Sequence, residues 1–273
     1  MILRNPCLAL CLVEIEVPIV KVFFSDLDNT LIYSHRHRLS HDKIVVEYLN
    51  GKEQSFMTRE IADVLANMDE YEFIPVSTRT EAQYNRLICM NPLHVKYAII
   101  CNGGKLLIDG KVDDKWNDES YQIAVTQKDS MEKAVLELTK LCHGREIHRP
   151  ELYMCYVSVD LPTEISDALS QKINTEQVEI RCDNRKVYLF SKGINKGEAI
   201  RRFRERFWLE YAIAAGDNEM DIPMLNEVDY ALAADSIFSD VKTKNRMRLV
   251  GDDYSSQICE ELKSLYDKGA QYD

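Results

Sequence analysis

The run KVFFSDLDNT, from Lys21 to Thr30, constrains the chain most. Val22, Phe23 and Phe24 read as a short buried strand, and the strand stops on two carboxylates, Asp26 and Asp28, with a threonine just after them. Comparable apolar runs end on polar residues at EFIPVS (Ser77), YAIICNGG (Asn102) and YAIAAGD (Asp217). Strands of this kind, alternating with helical patterns, build an α/β fold around one parallel sheet. Reactive groups in such a sheet collect in the crevice at the carboxyl ends of the strands. Asp26 with Asp28, Ser77, Lys196, and Asp217 with Asp221 all fall at strand ends or at the helix start that follows.

The punctuation between these runs supports the same reading. KIVVEYLNGKEQSF reads as two short strands joined at Asn50-Gly51, a pair suited to a tight turn with positive φ, and predicts a flap close to the aspartates. Thr58 is placed to cap a helix over TREIADVLANMDE, and TEAQ, Thr80 to Gln83, is a capping-box pattern that opens another.

The middle third changes character. Short strands (KLLI, LYMCYVSV, VEIRC, KVYLF) and two amphipathic helices, near 129–142 and 163–175, predict an inserted α+β module over 105–190. The core pattern resumes with a helix from about Asn195, so 1–104 and 191–273 are expected to form one Rossmann-like parallel-sheet core. No repeats, long linkers or low-complexity segments interrupt it.

Composition narrows the partners. A formal charge of -11 argues against a surface built to neutralise nucleic acid or anionic lipid, so neither nucleic acid nor membrane is an expected partner. An acidic protein that handles phosphate needs a cation locally. The eight cysteines lack paired C-x-x-C spacing and read as reduced, mostly packed thiols of a cytoplasmic protein, Cys7 and Cys11 included. The opening twenty residues carry Glu14 and Glu16 inside their apolar patch, which suits neither a spanning helix nor a signal peptide; an extra edge strand and a plain extension both remain open.

Taken in order, DLDNT, VSTR, NKGEAI and GDNEMDIPML resemble the four motifs of the haloacid dehalogenase superfamily of phosphohydrolases. The resemblance covers the core, about 21–104 and 191–265, and points to the large-cap subgroup that includes the sucrose-phosphatase and mannosyl-phosphoglycerate-phosphatase branch. It implies a phosphatase acting on a small phosphorylated substrate, a sugar phosphate by analogy, with the cap closing over it. Asp26 would be the nucleophile and Asp28 the acid and base, a residue that separates phosphatases and mutases from dehalogenases and ion pumps. Clustered carboxylates call for a divalent cation, and oxygen donors suit Mg2+; Asp26, the Asp28 carbonyl and Asp217 are the implied ligands, with Asp221 either a ligand or an orienting group. Ser77 and Lys196 would hold the phosphoryl group.

Further positions carry two readings each. Arg79 either binds substrate or braces its loop, and Asn102 either lines the site or shapes the turn into the cap. Tyr153, Tyr156, Arg181 and Arg185 either line the pocket or pack in the cap. His35, Arg36, His37, Arg38, His41 and Lys43 form a locally basic run, either a rim that attracts anions or a solvated loop. Met220 stands where sugar phosphatases of this subgroup carry asparagine, which leaves the chemistry in place and weakens the choice of any one sugar. A phosphomutase and a non-catalytic sensor of a phosphorylated ligand are the competing functions, and the oligomeric state is left open.

Overall fold

The computed structural model describes residues 21–38, 42–90, 92–183 and 185–269. The first twenty residues, with Cys7 and Cys11, lie outside the described residues, as does His41. The chain runs through strands β1 (Lys21–Ser25), β2 (Ile32–Ser34), β3 (Lys43–Leu49) and β4 (Lys52–Thr58), helix α1 (Arg59–Ala66), strand β5 (Glu72–Pro75), a single helical turn α2 (Glu81–Tyr84) and β6 (Tyr97–Ile100). A 3-10 turn at Cys101–Gly103 leads into β7 (Lys105–Ile108), β8 (Lys111–Val112), α3 (Asp114–Thr126), α4 (Lys128–Leu141), β9 (His148–Glu151), β10 (Met154–Ser158), α5 (Pro162–Ser170), β11 (Val178–Asp183) and β12 (Lys186–Ser191). The last third holds α6 (Lys196–Arg206), β13 (Tyr211–Gly216), α7 (Ile222–Leu225), β14 (Tyr230–Ala234), β15 (Arg246–Leu249) and α8 (Tyr254–Gly269).

Five strands form the central sheet in the order β15-β14-β13-β1-β5, every pairing parallel. A single parallel bridge from Val76 to Ile99 carries β6 onto the β5 side. Val22, Phe23 and Phe24 are fully buried, as a parallel strand covered on both faces requires. Strand order reverses direction between β1 and β13, and ligands of open α/β sheets bind at that switch point. The expected architecture, a parallel-sheet core with an inserted α+β cap, is the one observed.

The cap sheet is antiparallel, in the order β11-β12-β10-β9. Its strands alternate with period two: Val187 and Leu189 pack with Met131, Leu138 and Leu169 of the cap helices, while Tyr188 and Phe190 face the other way and join the core cluster around Leu27 and Leu31. Leu106 of β7 and Trp116 of α3 pack with Val22, Phe24 and Phe203, and a separate apolar cluster runs from Met131 to Leu189. Trp116 is tied there by Arg202, whose guanidinium lies 3.9 Å from the centre of its ring and donates to its carbonyl at 2.8 Å.

The flap is a three-stranded antiparallel sheet, β2-β4-β3. Asn50 (φ 52°) and Gly51 (φ 73°) adopt the left-handed conformation its turn demands. Thr58 caps α1, accepting from Ile61 N at 3.3 Å, although the helix stops at Ala66, short of the expected Glu70. The capping box at Thr80 is formed, but the helix it opens is one turn long. Cys89, Cys101, Cys142, Cys155 and Cys259 are buried thiols; burial pushes Cys101 and Cys155 up to about 12, which suits packing rather than nucleophilic chemistry. Among the described residues no helix is long and apolar enough to cross a membrane.

Candidate active site

Because β1 and β13 are register-paired neighbours, with Ser25 opposite Ala215 and Asp26 N donating to Ala215 O at 3.0 Å, the residues that follow them emerge side by side. Asp26 follows β1 and Asp217 follows β13. Thr30 stands between them, its hydroxyl 3.2 Å from Asp217 Oδ1 and 3.5 Å from Asp26 Oδ2. Asn195 caps α6 by accepting from Glu198 N at 2.9 Å, and the helix thereby delivers Lys196 into the same crevice. Lys196 Nζ lies 2.5 Å from Asp26 Oδ1 and 2.5 Å from Asp221 Oδ1.

Asp221 has both oxygens engaged, the second accepting from the backbone N–H groups of Asp217 (3.0 Å) and Asn218 (3.1 Å). This closes the GDNEMD loop on itself. Gly216 is what lets it close, since a Cβ there would stand 2.4 Å from Asp221 Cβ.

Electrostatics follow from burial. Asp26 is 4% exposed, and Lys196 and Asp221 are fully buried. Burial raises Asp26 well above the usual carboxylate range; Lys196 pulls it down, and Asp221, Asp217 and Asp28 push it up again. Burial and the neighbouring Asp221 push Asp217 up to about 7. Burial works against the charge of Lys196, but Asp221 and Asp26 outweigh it, so its pKa rises.

Oxygens of Asp26, Asp217 and Asp221 lie within 4.8 Å of one another. One lysine against three carboxylates leaves negative charge uncompensated in a buried place, and the donors are all hard oxygens. That set fits a dication such as Mg2+.

Asp28, the second aspartate of the first motif, is partly exposed and both its oxygens are gripped by Arg79, from Nε at 2.8 Å and Nη2 at 2.7 Å. Arg79 thus ties the loop after β5 to the first motif while also lining the cavity. It is charged despite burial, because Asp28 and Glu47 raise its pKa more than desolvation lowers it.

A cavity of about 380 Å³ opens above these groups. Asp26, Asp28, Arg79 and Lys196 line its floor, the flap contributes Glu47 and Gln54, and the cap contributes Asp183, Arg185, Lys186 and Tyr188. Tyr188 of the cap and Thr78 of the loop that follows β5 line the same cavity.

The other expected positions divide between the cavity wall and its surroundings. Ser77 is buried beside the crevice, its hydroxyl accepting from Arg79 N at 3.1 Å. Asn102 is 3% exposed, sits at φ 58° in the turn into β7 and donates to Ile194 O at 3.3 Å, while its Oδ1 is buried without a partner among the described residues. Tyr153 is core, its ring filling the space a Cβ on Gly104 would need, and Tyr156 stacks on His148. Arg181 pairs with Glu179, and Arg185, though it borders the cavity, pairs with Asp160. His35, Arg36 and Arg38 are exposed, while His37 stacks on Tyr33 with 4.7 Å between ring centres, so the basic run forms an outer surface. Met220 lines the cavity and packs in the core; Asn218, which also lines it, donates to Asp217 Oδ1 at 3.2 Å and accepts from Met220 N at 2.9 Å.

Sequence reasoning did not assign Glu47, Arg86, Asp183, Lys186 or Tyr188 to the site. Only the threonine after the aspartates, Thr30, left a visible signal.

The profile of a family described as haloacid dehalogenase-like hydrolase matches residues 113–252, just over half of the 273-residue chain. The match includes Lys196, Asp217 and Asp221, and Asp26 and Asp28 lie ahead of it. A search of curated proteins finds no match. Among solved structures, the sucrose-phosphatase of Synechocystis sp. PCC6803, determined with sucrose and phosphate, aligns with a TM-score of 0.61 at 12% identity over 91% of this chain and 98% of its own. A subclass IIB sugar phosphatase of the same superfamily aligns with a TM-score of 0.63 at 16% identity over 90% and 99%. A protein from Bacteroides thetaiotaomicron, studied among the phosphatases of that superfamily, gives 0.54 at 13% identity over 92% and 98%. At these identities the likeness is one of fold.

Proposed function

The chain belongs to the haloacid dehalogenase-like hydrolases, and from that premise we propose that it is a Mg2+-dependent phosphomonoesterase working through an aspartyl-phosphate on a small phosphorylated metabolite. The observation that carries the reading is the placement of Asp26: it ends the central strand at the switch point, against Lys196, on the floor of a cavity it shares with Asp28.

A carboxylate oxygen of Asp26 attacks phosphorus, and the bond from phosphorus to the leaving oxygen breaks. Asp28 gives that oxygen a proton, then takes one from the water that attacks the phosphoenzyme, restoring both aspartates. Lys196 holds the nucleophile and meets charge on the phosphoryl oxygens, and Ser77 supports the loop beside it. Asp26, Asp217 and the Asp28 carbonyl would hold Mg2+, with Asp221 orienting Lys196 and the loop. When bound, the dication supplies positive charge for the non-bridging oxygens. The cap, whose own apolar cluster from Met131 to Leu189 supports it as a module, closes over the substrate and excludes water.

A sugar phosphate is the favoured substrate class, supported by the fold shared with sucrose-phosphatase and by the polar cap residues Asp183 and Lys186 over the leaving-group side. The test is a phosphate-release screen over sugar phosphates, phosphoglycerates and nucleotides, with and without Mg2+. Mg2+-dependent release from a sugar phosphate is expected. Phosphate that moves between positions without release would make the protein a mutase, and tight Mg2+-dependent binding without turnover would make it a sensor.

A further inference from the structure

Glu47 lies on β3 of the flap and is only 1% exposed. A buried carboxylate needs partners, and this one has three side chains. Arg79 Nη1 donates to it at 3.0 Å, Arg86 Nε at 2.9 Å and the Ser55 hydroxyl at 2.9 Å. The backbone reinforces the arrangement: Glu47 pairs with Leu87, and Ile88 N donates to Val46 O at 2.9 Å, so the flap strand is fastened to the segment after α2.

The guanidinium of Arg79 is planar and its donors are fixed relative to one another. With Nη1 committed to Glu47, the edge formed by Nε and Nη2 has one direction left, and it is the edge that grips both oxygens of Asp28. The Asp28 side chain keeps 45% of its surface exposed, so neighbouring packing does little to choose its orientation. Arg79 chooses it, and Glu47 chooses the orientation of Arg79.

We propose that Glu47 is a positioning residue for proton transfer: it clamps Arg79, and Arg79, bonded to both Asp28 oxygens, fixes the place in the cavity from which the Asp28 carboxyl group exchanges a proton with the leaving oxygen. The inference rests on the phosphatase reading above. Since Glu47 rides on β3, docking of the flap and alignment of Asp28 are a single event.

The test compares two leaving groups. Sugar alkoxides need a proton as they depart, whereas p-nitrophenolate departs with little help, so misaligning Asp28 harms the first and spares the second. Wild type, Glu47→Gln and Arg79→Lys are assayed on the fastest sugar phosphate from the screen and on p-nitrophenyl phosphate, with thermal melts in parallel. Arg79→Lys keeps the buried charge balance and carries the test should Glu47→Gln fold poorly. Both variants should lose about tenfold or more in kcat on the sugar phosphate with KM little changed, and about twofold or less on p-nitrophenyl phosphate. An equal loss on both esters, or wild-type rates in both variants, would overturn the inference alone. A wild-type protein that hydrolyses neither ester would overturn the phosphatase reading and the inference with it.

Discussion

Lys196 Nζ sits 2.5 Å from Asp26 Oδ1 in a fully buried contact between residues 170 positions apart in the chain. The contact keeps a strand-end carboxylate inside the protein at tolerable cost, since an unpaired buried charge would be far more expensive. It also leaves the cluster short of positive charge, because Asp221 shares the same ammonium and Asp217 has none within bonding reach among the described residues. Four expectations follow from that balance and from the packing around it.

Magnesium should stabilise the protein in a pH-dependent way. Burial raises Asp26, and burial with Asp221 pushes Asp217 up to about 7, against roughly 4 for an aspartate in an unfolded chain. A carboxylate whose folded pKa is raised costs stability as pH climbs from the unfolded value through the folded one. A dication that takes the ionised form reverses that cost. The rise in Tm on adding Mg2+ should therefore be small near pH 5 and larger near about pH 7.5. A shift of the same size at both pH values, or none, would count against a metal on these carboxylates.

Gly216→Ala should damage both fold and site. The added Cβ would lie 2.4 Å from Asp221 Cβ, and the fully buried Asp221 has no room to yield. A loss of about 1–3 kcal/mol is expected in urea unfolding, together with a weaker Mg2+ effect on Tm. Wild-type stability in this variant would mean that the GDNEMD loop is looser than its hydrogen bonds imply.

Tyr33→Phe should loosen the start of α8. The buried phenol accepts from the N–H groups of Tyr254 and Ser255, both at 3.0 Å, and donates to Thr30 O at 3.2 Å. Removing it leaves two backbone donors to find other partners, at a cost of about 1–3 kcal/mol. Hydrogen exchange should quicken first at Tyr254 and Ser255; unchanged protection there would show that water replaces the hydroxyl without loss.

Residues delivered by the parallel sheet are readable from the chain alone. A parallel strand buried on both faces is a continuous apolar run, so its stop marks the carboxyl edge, and Asp26 and Asp217 can be placed from VFF and AIAA. Lys196 is readable for a similar reason, because Asn195 announces the helix start. Glu47 is not readable: an acid on a hairpin strand has the pattern of a solvated face, and only the approach of Arg79 and Arg86 from another element makes it an interior residue. Asp183, Lys186 and Tyr188 reach the cavity through the docking of the cap, which no local pattern encodes.

Helix α3 went unassigned because its inner face, Trp116, Ser120 and Ala124, holds one large apolar residue and two small ones, too weak a stripe to stand out. The same helix packs Trp116 against Val22, Phe24 and Phe203 of the core. Asn102 donates to Ile194 O, a contact that depends on where Ile194 arrives from and that no local pattern encodes.

The account stands or falls on Asp26 as the group that accepts phosphate. Phosphate release by purified Asp26→Asn, measured beside wild type with Mg2+ and the best sugar phosphate, tests it most directly. The substitution is nearly isosteric and removes one charge from a cluster already rich in carboxylates, so Tm without metal should stay level or rise. The account predicts a folded protein that releases no phosphate above background; a folded variant that still releases it at the wild-type rate would contradict the account.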